Sequence, residues 1–428
     1  MVEIKPFRAV IYNQEKIKDL SRVVCPPYDI ISPAQQEYLR KKDQHNFIHI
    51  LLGRDIPGED KYIRAAGYLK DWMDENIFIQ DIEPAIYFYS HSYQIKGEKK
   101  MRLGFVSLLK LPDKPNSVFA HEHTRLAPKE DRLRLLRRTK ANLSPIFVIF
   151  QDKKRIIQYI WDKGIGEAPP FIEVRDDEKN LHRLWRITSS DLLRRIEDGM
   201  CNENIFIADG HHRYEVACAY KEEMKKKLGE AFTGKEDFNY LMAYFTNTDQ
   251  RGLSILPIHR LIKTEKVINE EELKLKLREY FNIIEVKDKT RFFFLMQKGG
   301  RTENLLGVYL QKRFYLLRLK NVKIPDKLMK DKPKAYRTLD VSILNELVLK
   351  TIFGIESNDK ENIVYTVDNE EAIASVDSGS FALAFFLNPV DMSKIIAVAL
   401  AEERMPSKST YFYPKVMSGL LINKFNLR

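Results

Sequence analysis

The stretch Asn204–Tyr220 reads NIFIADGHHRYEVACAY and places an aspartate, a glycine, two histidines and an arginine in succession between an apolar run and an amphipathic one. Ile205 to Ala208 suit a buried strand, Asp209 and Gly210 interrupt it, and Val216, Ala217 and Tyr220 recur at helical spacing. The reading is strand, tight turn, helix. Gly210 lets the backbone approach a ligand, and the following helix directs free N–H groups and the positive end of its dipole at the turn, which favours an anion. Arg213 adds a permanent fork of donors beside His211 and His212, so the turn is suited to phosphate oxygens. A simple helix cap would require only one polar side chain. A zinc site on the two histidines is disfavoured, because adjacent helical residues point about 100° apart and no HExxH spacing occurs.

The 428 residues allow two or three domains, and 44% hydrophobic with 31% charged residues is an ordinary globular balance. No apolar run reaches the length of about 18 residues that spans a bilayer, and MVEIKPFRAV lacks the order of a signal peptide, so the expected location is cytoplasmic. Three cysteines without a CxxC pair argue against a zinc ribbon or a disulfide scaffold. The net charge of +11 attracts polyanions without choosing between nucleic acid and a nucleotide.

Along the chain the elements are mixed. A Pro-rich loop precedes a helix capped by Ser32, HNFIHILL is strand-like, and YIRAAGYLKDWMDENIF is an amphipathic helix. PAIYFYSHSYQI and MRLGFVSLLKL form a hairpin, as do the two halves of FIEVRDDEKNLHRLWRI, where His182 and Arg183 read as surface residues. SDLLRRIEDGM reads as a helix capped by Ser190. In KEDRLRLLRRTK, Leu133 and Leu136 give an apolar stripe, and Arg132, Arg134, Arg137, Arg138 and Lys140 charge the other faces. TRFFFLMQKGGRTENLLGVYLQKRFYLLRL offers up to three strands, and His259 reads as a hydrogen-bonded core histidine. A boundary near residue 265 divides an N-terminal α/β region, 1–265, from a C-terminal α/β region, 266–428, whose final loop is expected to return to the active site.

Two further polar concentrations accompany the turn. His121, Glu122, His123 and Thr124 precede the basic helix, and Lys408, Ser409, Thr410 and Lys415 supply donors near the C-terminus, around the strand-like Tyr411, Phe412 and Tyr413.

The motifs VVCPPYDIISPAQQ, HEHTRLAPKEDRLRLLRRTKANLSPIF, ADGHHRYEVA, ILPIHRL and ERMPSKSTYFYPKVMSGL together resemble the prokaryotic family known as domain of unknown function 1015. The DGHHR turn resembles the ligand turn of the ParB and sulfiredoxin-like fold, which implies a mixed α/β protein built on a nucleotide-binding core. Sulfiredoxins carry a catalytic cysteine where Gly210 and His211 stand, which argues against sulfinic acid reduction, and the helix-turn-helix of ParB proteins is not evident. The chain is also similar to the free-serine kinases at three places: His121-Glu122, Asp209 to Arg213, and Pro406 to Thr410. That resemblance implies phosphorylation of free L-serine to O-phosphoserine with ATP or ADP. Glu122 would be the base beside His121. Asp209, Gly210, His211, His212, Arg213, Lys408, Ser409 and Thr410 would hold phosphates, and His123, Thr124 and Lys415 would lie toward the substrate. Mg²⁺, held chiefly by phosphates, is expected, with Asp209 as a candidate ligand. The absence of a Gx4GK[ST] sequence and of a kinase GxGxxG set argues against the standard triphosphate folds. The alternative is a nucleotide-binding regulatory or nucleic-acid-associated ParB-like protein without kinase activity. The expected partners are a nucleotide and a free amino acid, with nucleic acid second, no membrane, and an oligomeric state the sequence leaves open.

Overall fold

Runs such as IFVIF and YLMAYF have no polar face, so they can only be central strands covered on both sides. In the computed structural model, which describes residues 1–426 except 96, 114–116, 166–167, 250–251, 265–267, 357–358 and 360, they are. The chain forms two compact units: one of Met1–Phe119, Thr124–Leu253 and the stretch from Pro414 on, the other of Ala120–His123 and Ser254–Tyr413. The expected boundary at residue 265 falls outside the described residues.

The first unit is a mixed sheet with helices. The strand Ile146–Phe150 runs parallel to Tyr240–Asn247 and antiparallel to Ile205–Asp209. The hairpin Ile86–Ile95 with Glu98–Lys110 forms as expected, pairing Ile95 with Glu98, and extends the sheet toward Leu181–Ile187 and Ile172–Arg175. The helices Leu126–Thr139 and His211–Leu228 share a core in which Leu136, Val216, Tyr220, Phe238 and Phe425 are buried. Mixed α/β is therefore the observed class.

The second unit centres on a six-stranded antiparallel sheet in the order Phe281–Val286, Arg313–Leu319, Leu305–Leu310, Leu383–Phe386, His259–Ile262, Ile363–Thr366. Phe292, Met296, Phe314 and Phe386 fill its core. A separate pair, Ser254–Leu256 with Tyr411–Tyr413, confirms the C-terminal strand and its buried Phe412.

Three local expectations are corrected. HNFIHILL contains a short helix, Ile48–Leu51, because its apolar residues are buried all round and carry no period. TRFFFLMQKG is the helix Lys289–Gly299: the Asp288 carboxylate accepts from the amide of Arg291, and Phe292 and Met296, four residues apart, reach the core. The helix Ser190–Met200 has Ser189, and not Ser190, at its cap position. The Ser32 cap, with its hydroxyl accepting from Gln35 N–H and Pro33 following, is as read.

Candidate active-site groups

The strand Ile205–Asp209 loses register with Ile146–Phe150 between Ile207 and Asp209, a bulge that re-aims the aspartate at the strand's end. Gly210 follows with φ of +89°, outside the range open to most side chains. A Cβ there would stand 2.9 Å from Ile146 and 3.0 Å from the Arg213 guanidinium, so glycine is required twice over: for the turn, and to let Arg213 lie against the backbone. The 18-residue helix His211–Leu228 then begins.

Arg213 is held in place. One Nη donates to the Pro145 carbonyl, the other to Asp209 Oδ2 at 2.7 Å, and its buried Nε has no hydrogen-bond partner among the described residues. Lys415, 206 residues away in sequence, donates to the other Asp209 oxygen. Two cations thus converge on one carboxylate at the positive end of a long helix, and their side chains are only 12% and 9% exposed. An incoming phosphate can compete with Asp209 for both. The same pairing means that a Mg²⁺ ion would reach Asp209 only by displacing Arg213 or Lys415.

The histidines play different parts. His211 is buried. His212 Nε2 accepts from the amide of Arg125 at 3.0 Å and so caps the helix Leu126–Thr139, which fixes the neutral ring's proton on Nδ1. Thr124, on the loop before that helix, donates to Glu215 at 2.5 Å, and Lys129 pairs with the same oxygen at 3.1 Å.

A cleft of ≈ 500 Å³, part of it open to solvent, adjoins Arg213 and is lined by Tyr28, Leu51, Arg132, Leu136 and Ser144 among others. Arg132 was expected on a charged outer face. It is 8% exposed instead, donating to the Leu51 carbonyl at 2.8 Å, pairing with Asp131, and stacking on Tyr28 at 4.5 Å. Burial pushes the Tyr28 hydroxyl up to about 12, against the pull of the neighbouring Arg213 and Arg132, so it is a neutral donor at pH 7. Tyr28 is a functional candidate that sequence reasoning passed over, its signal being the PPYD loop, and Arg132, read only as one charge of a basic helix face, is a second.

In the second unit, two expected elements meet. The Glu122 Oε1 accepts from the amide of Lys408 at 2.8 Å, although 286 residues separate them, and His121 and Met405 share a backbone hydrogen bond of 2.7 Å. His121 is fully buried, its Nε2 3.1 Å from Thr410 Oγ1, and Ser409 donates to the Pro406 carbonyl at 2.5 Å. Lys408 takes φ of +60° with its side chain exposed. Arg260, 1% exposed and unnoticed in the ILPIHRL motif, donates to the Lys408 carbonyl at 3.0 Å and to the Ile258 carbonyl. Burial lowers its guanidinium to about 10, opposed by Tyr365 and Glu122. His123 is exposed. His259 is the core histidine expected, its Nδ1 accepting from Leu387 N–H at 3.3 Å. No described helix is long and apolar enough to cross a membrane.

The family model described as protein of unknown function (DUF1015) matches residues 4–342, and the chain belongs to that family. No curated protein matches it. Among solved structures, a conserved hypothetical protein from Pyrococcus furiosus is similar at 13% identity over 69% of this chain and 87% of that chain, with a TM-score of 0.32. A free serine kinase in complex with AMP is similar at 13% identity over 69% and 83%, TM-score 0.33. SbnI with C-terminal truncation from Staphylococcus aureus is similar at 11% identity over 74% and 86%, TM-score 0.37.

Proposed function

We propose that this chain is a small-molecule kinase that binds a nucleotide at the Asp209 to Arg213 turn and phosphorylates free L-serine to O-phosphoserine. The observation that carries the reading is the hydrogen bond from the Lys408 amide to Glu122, which holds a carboxylate of the His121-Glu122 motif against the Lys-Ser-Thr loop. The three motifs that resemble free-serine kinases supply the substrate class.

In this reading Arg213 and Lys415 leave Asp209 for the phosphates, joined by the amides opening the helix His211–Leu228. The serine hydroxyl oxygen attacks the terminal phosphorus of ATP or ADP, the bridging P–O bond breaks, and ADP or AMP leaves. Glu122 takes the hydroxyl proton. His121 acts from behind, fixing Thr410, and Arg260 fixes the carbonyl of Lys408. With both Asp209 oxygens engaged, Mg²⁺ is assigned to the nucleotide phosphates, with which it would arrive.

The test is to incubate the purified chain with Mg²⁺, ATP or ADP, and a panel of free amino acids, and to detect O-phosphoserine by ³¹P NMR and mass spectrometry. Glu122→Gln keeps an oxygen that can accept from Lys408 but removes the base, so turnover should fall by about 10² to 10⁴ with nucleotide affinity retained. No phosphoserine with either donor overturns the assignment, and unchanged turnover in Glu122→Gln removes Glu122 as the base. Binding to nucleic acid that weakens steeply with salt, without serine-dependent turnover, would support the regulatory alternative that the +11 charge permits.

A further inference from the structure

His182 was expected on the surface of its hairpin and is 1% exposed. It stands directly opposite His91 in the antiparallel pair of Ile86–Ile95 and Leu181–Ile187, with ring centroids 4.0 Å apart. Asp176 opens the turn leading into the second of these strands, held by the amide and side chain of Asn180 at 2.8 and 3.0 Å. One donor atom from each of His91, Asp176 and His182 lies within 4.8 Å of the others, and among the described residues no other group of three His, Cys, Asp or Glu donors is so placed. We propose that these three residues form a binding site for a divalent transition-metal ion of the zinc class.

The hydrogen bonds around the cluster decide which nitrogens are available. His182 Nε2 is 3.1 Å from Asp176 Oδ2, close to the edge of about 3.3 Å between ligands of tetrahedral zinc. His182 Nδ1 is 2.6 Å from the Tyr89 hydroxyl. Ligation through Nε2 therefore leaves an Nδ1–H donating to Tyr89, the outer-shell contact that orients metal-bound histidines. His91 Nε2 is buried and has no hydrogen-bond partner among the described residues, which is costly for a ring that is 1% exposed. A metal ion would satisfy it.

The charges select the kind of ion. Arg102, fully buried, donates to the Pro414 carbonyl at 2.6 Å and approaches His91 Nδ1 at 3.5 Å, the longest contact in the cluster. Ligation at His91 Nε2 places the proton on Nδ1, so that contact is given up while Arg102 keeps its carbonyl and its stacking on Phe147 at 4.5 Å. The Arg102 guanidinium acts on His182 against the carboxylates of Asp176 and, more weakly, Glu178, which leaves little net negative charge for Mg²⁺ or Ca²⁺, ions that bind oxygen through charge. Affinity has to come from the imidazoles, which favours zinc, cobalt or nickel. Closing the set to tetrahedral edges requires the most distant donor to move by about 1.5 Å or less. Asp176 is only partly buried and gives the ion a way in.

The test uses the full chain stripped with chelator and titrated with Co²⁺, whose visible absorption reports low-symmetry nitrogen and oxygen ligation. The expected result is about one equivalent bound, displaced by Zn²⁺, with affinity at least tenfold weaker in Asp176→Asn and in His91→Gln. Asp176→Asn can keep the turn's acceptor, so it should fold; tryptophan fluorescence checks this. Should His91→Gln not fold, anomalous scattering at the zinc edge from wild-type crystals places the ion directly. Absence of visible absorption and of zinc binding at micromolar metal, an anomalous peak elsewhere, or folded variants that bind as wild type does would overturn the proposal.

Discussion

Replacing Gly210 with alanine tests the architecture of the turn with a built-in control. Gly210 and Gly234 both have positive φ, +89° and +77°, in the same unit, but a Cβ at Gly234 would meet nothing within 4 Å. Gly234→Ala should therefore cost only the left-handed backbone penalty, about 1–2 kcal/mol. Gly210→Ala carries that penalty and also places a methyl group 2.9 to 3.0 Å from Ile146 and the Arg213 guanidinium, both of which must give way. Crowding of this kind costs about 1–3 kcal/mol more. The chain's three tryptophans, Trp72, Trp161 and Trp185, all lie in this unit, so urea unfolding followed by their fluorescence reports on it alone. The expected order is wild type, then Gly234→Ala, then Gly210→Ala, with the last also losing nucleotide affinity because Arg213 has been displaced. Equal destabilisation by the two substitutions would refute the seating of Arg213 on the glycine.

Lys415→Met removes one of the two cations that pair with Asp209 and should cost about 1–3 kcal/mol in the same fluorescence assay, together with a loss of nucleotide affinity by calorimetry; unchanged values in both would separate Lys415 from the turn. In the second unit, burial raises the Asp340 carboxyl to about 6, opposed by the Asn304 hydrogen bond and by Lys394. The folded state then holds the proton more tightly than the unfolded chain, so the carboxylate destabilises above pH 6 and the penalty fades as pH falls from 6 toward 4. Asp340→Asn should be the more stable form at pH 8, by at most about 3 kcal/mol because the side chain keeps some exposure, and should lose that advantage by pH 4. Hydrogen exchange across residues 340–343 measures it, and a pH-independent difference would contradict the shift.

Most strands and the two hairpins were legible because a central strand is a short apolar run bounded by turn residues, whatever its partners. The same rule misled at TRFFFLMQKG, where the run is helical; Asp288 three residues before Arg291 was the available cap signal. Arg132 and His182 were misread for another reason. A polar residue between apolar ones looks like the outward face of an amphipathic element, and only tertiary partners, the Leu51 carbonyl for one and Asp176 with Tyr89 for the other, turn it inward. The Lys415 contact with Asp209 and the Glu122 contact with Lys408 join residues 206 and 286 positions apart, a separation no periodicity can encode.

What the sequence did carry was chemical type, and the structure shows what holds two of these residues in place. Lys408 adopts φ of +60°, a conformation that costs a lysine about 1–2 kcal/mol and that glycine would take freely. The strain is held from both sides, by Glu122 accepting its amide proton and by the buried Arg260 gripping its carbonyl. A fold that needed only the turn would be more stable with glycine there. Lys140, Lys179 and Lys312 also take positive φ, and what sets Lys408 apart is this double grip, which supports the phosphate-binding role proposed for its exposed ammonium. The same reasoning applies to Arg213, whose unpartnered Nε is held against a glycine that cannot be replaced without moving it. Both positions lie in the short polar stretches that stand out in the sequence.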